Sequence, residues 1–284
     1  MLTIPETVDY QAHAAETKAG LLRVPWTFLV QTMLAGAYIG IGVVIMVTAG
    51  GPLVAVGSPF APLVQGTVFG VALTIVVVAG GELATSSMMY LTQGAMRGSI
   101  GWGRAGVALL ATLGGNLLGA MLFAGMVHLS GVTAPGTAAG NAIAGMIEHK
   151  ADETTVQLVF RGILCNLLVC LAVWCANRLR SEGARILVIF ACVMVFITSG
   201  FEHVVANMTT FSLGLYGGLD SATVGEFARN VLAVGFGNLI GGGLLVGAAY
   251  AYGTRPVVAP ATSGASEAVE APDETLDLEP AATH

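Results

Sequence analysis

The chain has 284 residues, 55% hydrophobic and only 10% charged, with 39 glycines, a formal net charge of −6 and a mean hydropathy of +0.80. Soluble domains carry about a quarter charged residues, so this balance excludes an ordinary soluble protein and predicts an integral membrane one. The charge is acidic and forms no basic stripe, which excludes a nucleic-acid partner.

The first stretch, "MLTIPETVDYQAHAAETKAG", lacks the basic start, short apolar core and small-residue cleavage site of a signal peptide, so none is expected. Its mixed polarity predicts a short helix under the membrane. From Val24 to Gly81 no Asp, Glu, Lys, Arg or His occurs. About 20 apolar residues cross the hydrocarbon, so two crossings fit here, turning at "GGP", Gly50 to Pro52.

Six spans follow along the chain, near residues 26–49, 62–79, 104–128, 156–176, 185–200 and 227–251. Lys18, Arg23, Arg97, Arg104, Arg178, Arg180, Arg185 and Arg255 fall on one side of them, against Lys150 and Arg229 on the other, with Arg161 just inside a span. The positive-inside rule makes both termini cytoplasmic. Residues 1–25 form a cytoplasmic N-terminal segment and 26–253 the membrane domain. Residues 254–284, rich in Pro, Ala, Ser and acidic groups, are expected to be a disordered cytoplasmic tail.

The second and fifth spans do not end cleanly. "AGGELATSSMMYLTQGAM" and "SGFEHVVANMTTFSLGLYGG" are too polar for lipid and too apolar for a solvent loop. Broken backbone at membrane depth is tolerated where it is buried in protein or lines an aqueous cavity, so the breaks mark a pathway. "GGE" at Gly80 recurs as "GFE" at Gly200, and "GNLLG" at Gly115 recurs as "GNLIG" at Gly237, both about 120 residues on. Each half then holds three spans, and an odd number inverts the second half relative to the first. Inverted repeats with paired broken helices place a permeation site between the halves.

Ionisable groups inside the bilayer are expensive and point to function. His203 is the sharpest, because imidazole changes charge near neutral pH and can serve a passing ion as proton or hydrogen-bond donor. Glu82 and Glu202 occupy equivalent places and are expected to support the breaks by accepting backbone N–H bonds. Asn207, one helical turn after His203, can face the same lumen, with Thr85 as the counterpart hydroxyl in the first half. Phe69, Leu73 and Phe196 precede the breaks and fit either core packing or a hydrophobic constriction. Lys150 is either solvated or draws anions to the outer mouth. Cys165, Cys170, Cys175 and Cys192 lie in apolar runs at a spacing that stacks no two on one helical face, so they read as small hydrophobes. The scattered histidines predict no metal site, and no cofactor is expected.

"AGGELATS", Ala79 to Ser86, and "GILCNLLVCLA", Gly162 to Ala172, resemble the two signatures of the formate/nitrite transporter family, and "SGFEHVVANM" resembles its central histidine segment. The similarity extends over residues 27–253 and is closest to the nitrite-channel branch. The resemblance implies a homopentamer of aquaporin-like, all-α protomers in the bacterial cytoplasmic (inner) membrane. Each protomer passes small monovalent anions, nitrite foremost, with protons and membrane lipids as further partners. It also implies roles for individual residues: His203 as central histidine, Thr85 as hydroxyl of the first break, Asn207 as partner after the second, and Asn166 as the fourth-span asparagine. Lys150 becomes the outer-vestibule lysine, and Phe69, Leu73 and Phe196 the constriction. Ala84 stands where the family usually has an aromatic, and Ser86 where glycine is common.

Three readings compete with this one. Formate or hydrosulfide would suit the same pore, as a channel or a proton symporter. An intramembrane serine protease would need a nucleophile turn such as G-x-S-x-G, which the spans lack. An aquaporin proper would need Asn-Pro-Ala pairs at the breaks, which are also missing.

Overall fold

A computed structural model describes residues 1–254, and the tail expected to be disordered lies, from residue 255 on, outside the described residues. Among the described residues every regular element is helical. Helix α1, Ile4–Gly20, starts at a capping box in which Thr3 and Glu6 exchange side-chain and backbone hydrogen bonds. It lays Ala15 and Ala19 against Leu91 and Ile100.

Five stretches are long and apolar enough to cross a membrane: α2 (Pro25–Ala55), α3 (Ala61–Ala79), α5 (Trp102–Leu129), α7 (Thr155–Arg178) and the last, Val224–Gly253. The sixth crossing is divided between α8 (Glu182–Thr198) and α9 (Val204–Tyr216). The polarity of a soluble protein is reversed in this bundle. Leu129 and Trp26 are 86% and 79% exposed, whereas Asn116, Asn166 and Asn238 are fully buried. Lipid is as apolar as leucine, so buried polar contacts and close backbone packing have to hold the helices together.

Three features depart from the sequence reading. Helix α2 runs straight through Gly50, Gly51 and Pro52 to Ala55, and the chain turns only afterwards, at Gly57 with φ +65°. The "GGP" glycines serve packing instead: a Cβ on Gly51 would lie 2.7 Å from the Ala138 carbonyl oxygen. The connection between the third and fourth spans contains a helix of its own, α6 (Ala138–Asp152), which carries Lys150. The last span begins as α10 (Val224–Asn238), widens to a π-helix over Leu239–Ala248 and closes in α11 (Ala249–Gly253).

The two repeats are α2, α3, α4 (Ala84–Met96) and α5, then α7, α8, α9 and α10. The glycines of both repeated strings carry close contacts, Gly119 and Gly241 among them. A Cβ there would lie 1.9 Å from the Met33 carbonyl oxygen and 2.1 Å from that of Ile163, so α5 crosses α2 and the π-helical stretch crosses α7 backbone to backbone. Leu2 bonds to Arg178, and Arg97 bonds to Thr254 and pairs with Asp9, so both ends of the described chain share one face.

Candidate functional site

Each break opens on a glycine in the left-handed region, Gly80 at φ +84° and Gly200 at φ +70°, which turns the chain out of the preceding helix. The freed backbone is then satisfied in the same way on both sides. Glu82 N–H donates to the Gln31 carbonyl at 3.1 Å, and Glu202 N–H to the Arg161 carbonyl at 3.3 Å. Asn116 donates to the carbonyls of Thr32 and Glu82, both at 2.8 Å, and accepts from Ala84 N–H. Asn238 donates to the carbonyls of Gly162 and Glu202 and accepts from Val204 N–H at 3.0 Å. Each asparagine thus holds the first amide of a half-helix, one of the orphan donors at a helix start, and fastens the break to a neighbouring span.

The glutamates act differently from expectation. Backbone N–H groups are left to the asparagines, and the carboxylates hold lysines. Glu82 accepts from Lys18 of α1 at 2.6 Å, and Glu202 receives Lys150 on both oxygens as well as the Asn207 amide. Lys150 is therefore a buried ion-pair partner, not a solvated charge. Asn207 extends the chain of bonds to Asn230 at 2.7 Å.

His203 is the N-cap of α9, its ring Nδ1 accepting from Ala206 N–H at 3.2 Å. An Nδ1 that accepts fixes the neutral tautomer, so Nε2 carries the proton. Nε2 lies 3.0 Å from Thr85 Oγ1 in the first turn of α4. This contact joins the two half-helix starts, and their positive dipole ends converge on it. The His203 ring stacks on Phe196 at 6.1 Å between centroids, and Phe196 meets Phe69 edge-on at 6.1 Å. Leu73 is buried in the same core.

A cavity of about 260 Å³ opens above this cluster and is lined in part by Phe69, His149, Lys150, Arg161, His203 and Asn207. A second cavity, about 380 Å³, lies at Lys18, Glu82 and Tyr90 beneath α1. Asn166 lines neither cavity. It stands behind Thr85, donating to the Thr85 and Asn238 carbonyls. Ala84 presents its amide to Asn116, and Ser86 turns its hydroxyl back to the Leu83 carbonyl. Among the described residues no cluster of His, Cys, Asp or Glu could hold a metal.

The structure thus brings His203, Thr85, Asn207, Lys150, Glu202, Phe69 and Phe196 together. Asn116, Asn238, Lys18, Arg161 and Glu153 escaped the sequence reading. The asparagines had a signal, being the one strongly polar residue in each repeated "GNLxG" string. Lys18 and Arg161 had none, because a charge near a span end reads as a solvated one.

Apolar helices in two inverted repeats, with two breaks meeting at buried polar groups between cavities, define a multi-pass membrane transport protein. The family model described as formate/nitrite transporter matches residues 5–252, and the chain belongs to that family. It is 39% identical over 239 residues to the nitrite transporter NirC of Escherichia coli K12, covering 82% of this chain and 87% of the relative. A solved FNT family ion channel superposes with a TM-score of 0.83 at 37% identity, covering 88% of this chain and 99% of the other. A pentameric formate channel with formate bound gives 0.69 at 27% identity, over 80% and 96%. The family consists of channels and transporters, which displaces the intramembrane-enzyme alternative.

Proposed function

We propose that the protein carries small monovalent anions, nitrite foremost, through a pathway within each protomer of a homopentamer. It lies in the bacterial cytoplasmic membrane with both termini on the cytoplasmic side, and lipid surrounds the apolar exterior. The observation that carries this reading is the Thr85–His203 contact, beyond an aromatic pair at the end of a cavity bearing cationic groups. An anion enters past Lys150 and reaches Phe69, Leu73 and Phe196, where a bare charge loses its hydration at a cost far above what apolar side chains return. His203 Nε2–H then gives the anion a hydrogen bond; where the ring has first taken up a second proton at Nδ1, it gives up the Nε2 proton and returns to the neutral form, and the Thr85 hydroxyl and the converging dipoles hold the negative charge of a hydrogen-bonded anion. Asn207 and Glu202 keep Lys150 in place beside this route. Glu82 does the same for Lys18 at the opposite mouth.

Formate is the second reading, favoured by the similarity to a pentameric formate channel with formate bound. Nitrite uptake into proteoliposomes, measured alone and against added formate, tests both. Uptake that formate inhibits only weakly supports nitrite as the preferred ion, strong inhibition supports formate, and no nitrite uptake overturns the proposal.

A further inference from the structure

The charges at the outer mouth are almost all answered internally. Lys150 is held by both oxygens of Glu202. Arg161, on α7, lines the same cavity with its side chain 31% exposed, yet its Nη1 donates to the Gly200 carbonyl at 3.1 Å and pairs with Glu153 Oε1. Both contacts use Nη1, and among the described residues Nη2 meets no acceptor. The Glu153 side chain is 4% exposed and lies between Arg161 and His149, whose Nε2 is 3.2 Å from Oε1. The backbone carbonyl of Glu153 takes the Arg229 guanidinium at 2.8 Å, and Arg229 in turn pairs with Glu226.

Two fixed cations, Lys150 and Arg161, therefore face two carboxylates, Glu202 and Glu153. With both carboxylates ionised the mouth has no net charge to offer an anion. With Glu153 neutral, the Arg161 fork, which lines the cavity, loses its carboxylate partner and is free to meet an anion there. A planar guanidinium donates to both oxygens of a two-oxygen anion in the geometry in which it donates to a carboxylate.

We propose that Arg161 and His149 form an anion-docking station in the outer mouth, normally occupied by the Glu153 carboxylate, which a small planar oxoanion replaces once Glu153 takes up a proton. This rests on the anion-pathway reading and adds a site ahead of the central histidine. The groups facing Glu153 are His149 and Lys150 from α6, Arg161 from α7, Glu202 from the second break and Arg229 from α10. Burial first, and then the charge of Glu202, raise the Glu153 carboxyl above the ordinary carboxylate range, against the pull of Arg161, Lys150 and His149. The sign follows: a raised carboxyl is protonated while ordinary ones are still ionised. Arg161 is freed as the outer pH falls toward that range and recaptured as it rises.

The test uses the full chain in two arms. In proteoliposomes, initial nitrite uptake is measured against concentration at outer pH 8 and at about pH 5.5. In detergent, formate is titrated at the same two pH values and the rise in Tm recorded. Acidification is expected to lower the wild-type KM and the formate midpoint about tenfold, the scale on which an uncompensated charge in a cleft concentrates counter-ions. Glu153→Gln should show the low-pH values at both pH. Arg161→Gln should keep high values at both, with the loss falling on KM rather than kcat, and Arg161→Lys should restore part of the affinity. The double variant Arg161→Gln/Glu153→Gln leaves no buried charge unpaired, so it folds even if the single one does not, and should bind weakly without pH dependence. A double variant that keeps the wild-type pH dependence overturns the proposal. Absence of wild-type nitrite uptake would contradict the pathway reading, while the formate titration still decides the docking site.

Discussion

Asn116 and Asn238, one in each inverted repeat, make the same three hydrogen bonds: to the carbonyl of the break glutamate, to a carbonyl of a neighbouring span, and from the first amide of the half-helix. They hold Thr85 and His203 at hydrogen-bond distance by fixing the two helix starts on which those residues stand.

Replacing either asparagine by alanine leaves a buried amide and carbonyl without partners, at about 3 kcal/mol in all. At 2–4 °C per kcal/mol, Asn116→Ala and Asn238→Ala should each lower Tm by roughly 6 to 12 °C. Thermal unfolding in detergent checks this. Near-equal losses support their equivalence, and a loss confined to one of them contradicts it.

The repeat was legible in the sequence because small residues at helix crossings and a polar group at each break leave strings that recur at one offset. The two breaks were legible because both stretches are too polar for lipid and too apolar for a solvent loop, His203 as an ionisable group at that depth, and Thr85 as its counterpart hydroxyl in the first half. The partners of the break glutamates were not legible. Lys18 and Lys150 reach them from distant helices, and spacing along one helix carries no information about such contacts. The "GGP" turn misled for a related reason. Glycine serves close packing as well as turning, and Gly51 needs its missing Cβ for the approach of Ala138.

Close packing makes a second prediction. Gly119→Ala and Gly241→Ala place a methyl group within 1.9 and 2.1 Å of carbonyl oxygens and should abolish the folded protein or cost well over 3 kcal/mol. Gly145→Ala, with nothing within 4 Å of the added carbon, should be neutral or stabilise α6 by about 0.5–1 kcal/mol. Yield of monodisperse protein and Tm separate the two outcomes.

The Lys150–Glu202 pair is buried on both sides. Removing one charge leaves the other uncompensated, at about 3–5 kcal/mol, whereas Lys150→Met combined with Glu202→Gln should cost much less than the two losses added together. A double-mutant cycle on unfolding measures the difference. Additive losses would mean that the two groups do not act as a pair.

Thr85→Val keeps the volume of the side chain and removes the oxygen that His203 Nε2 meets. The protein should fold, and nitrite uptake should fall about tenfold, the equivalent of about 1.4 kcal/mol. Thr85→Ser retains the oxygen and should retain most of the uptake.

The central claim is that His203 manages the charge of the passing anion. Its most direct test is nitrite uptake into proteoliposomes with and without an inward proton gradient, for the wild type and for His203→Phe. The account predicts strong, gradient-sensitive uptake in the wild type and loss of both rate and gradient sensitivity in the variant. Uptake by His203→Phe equal to that of the wild type at every pH would contradict it.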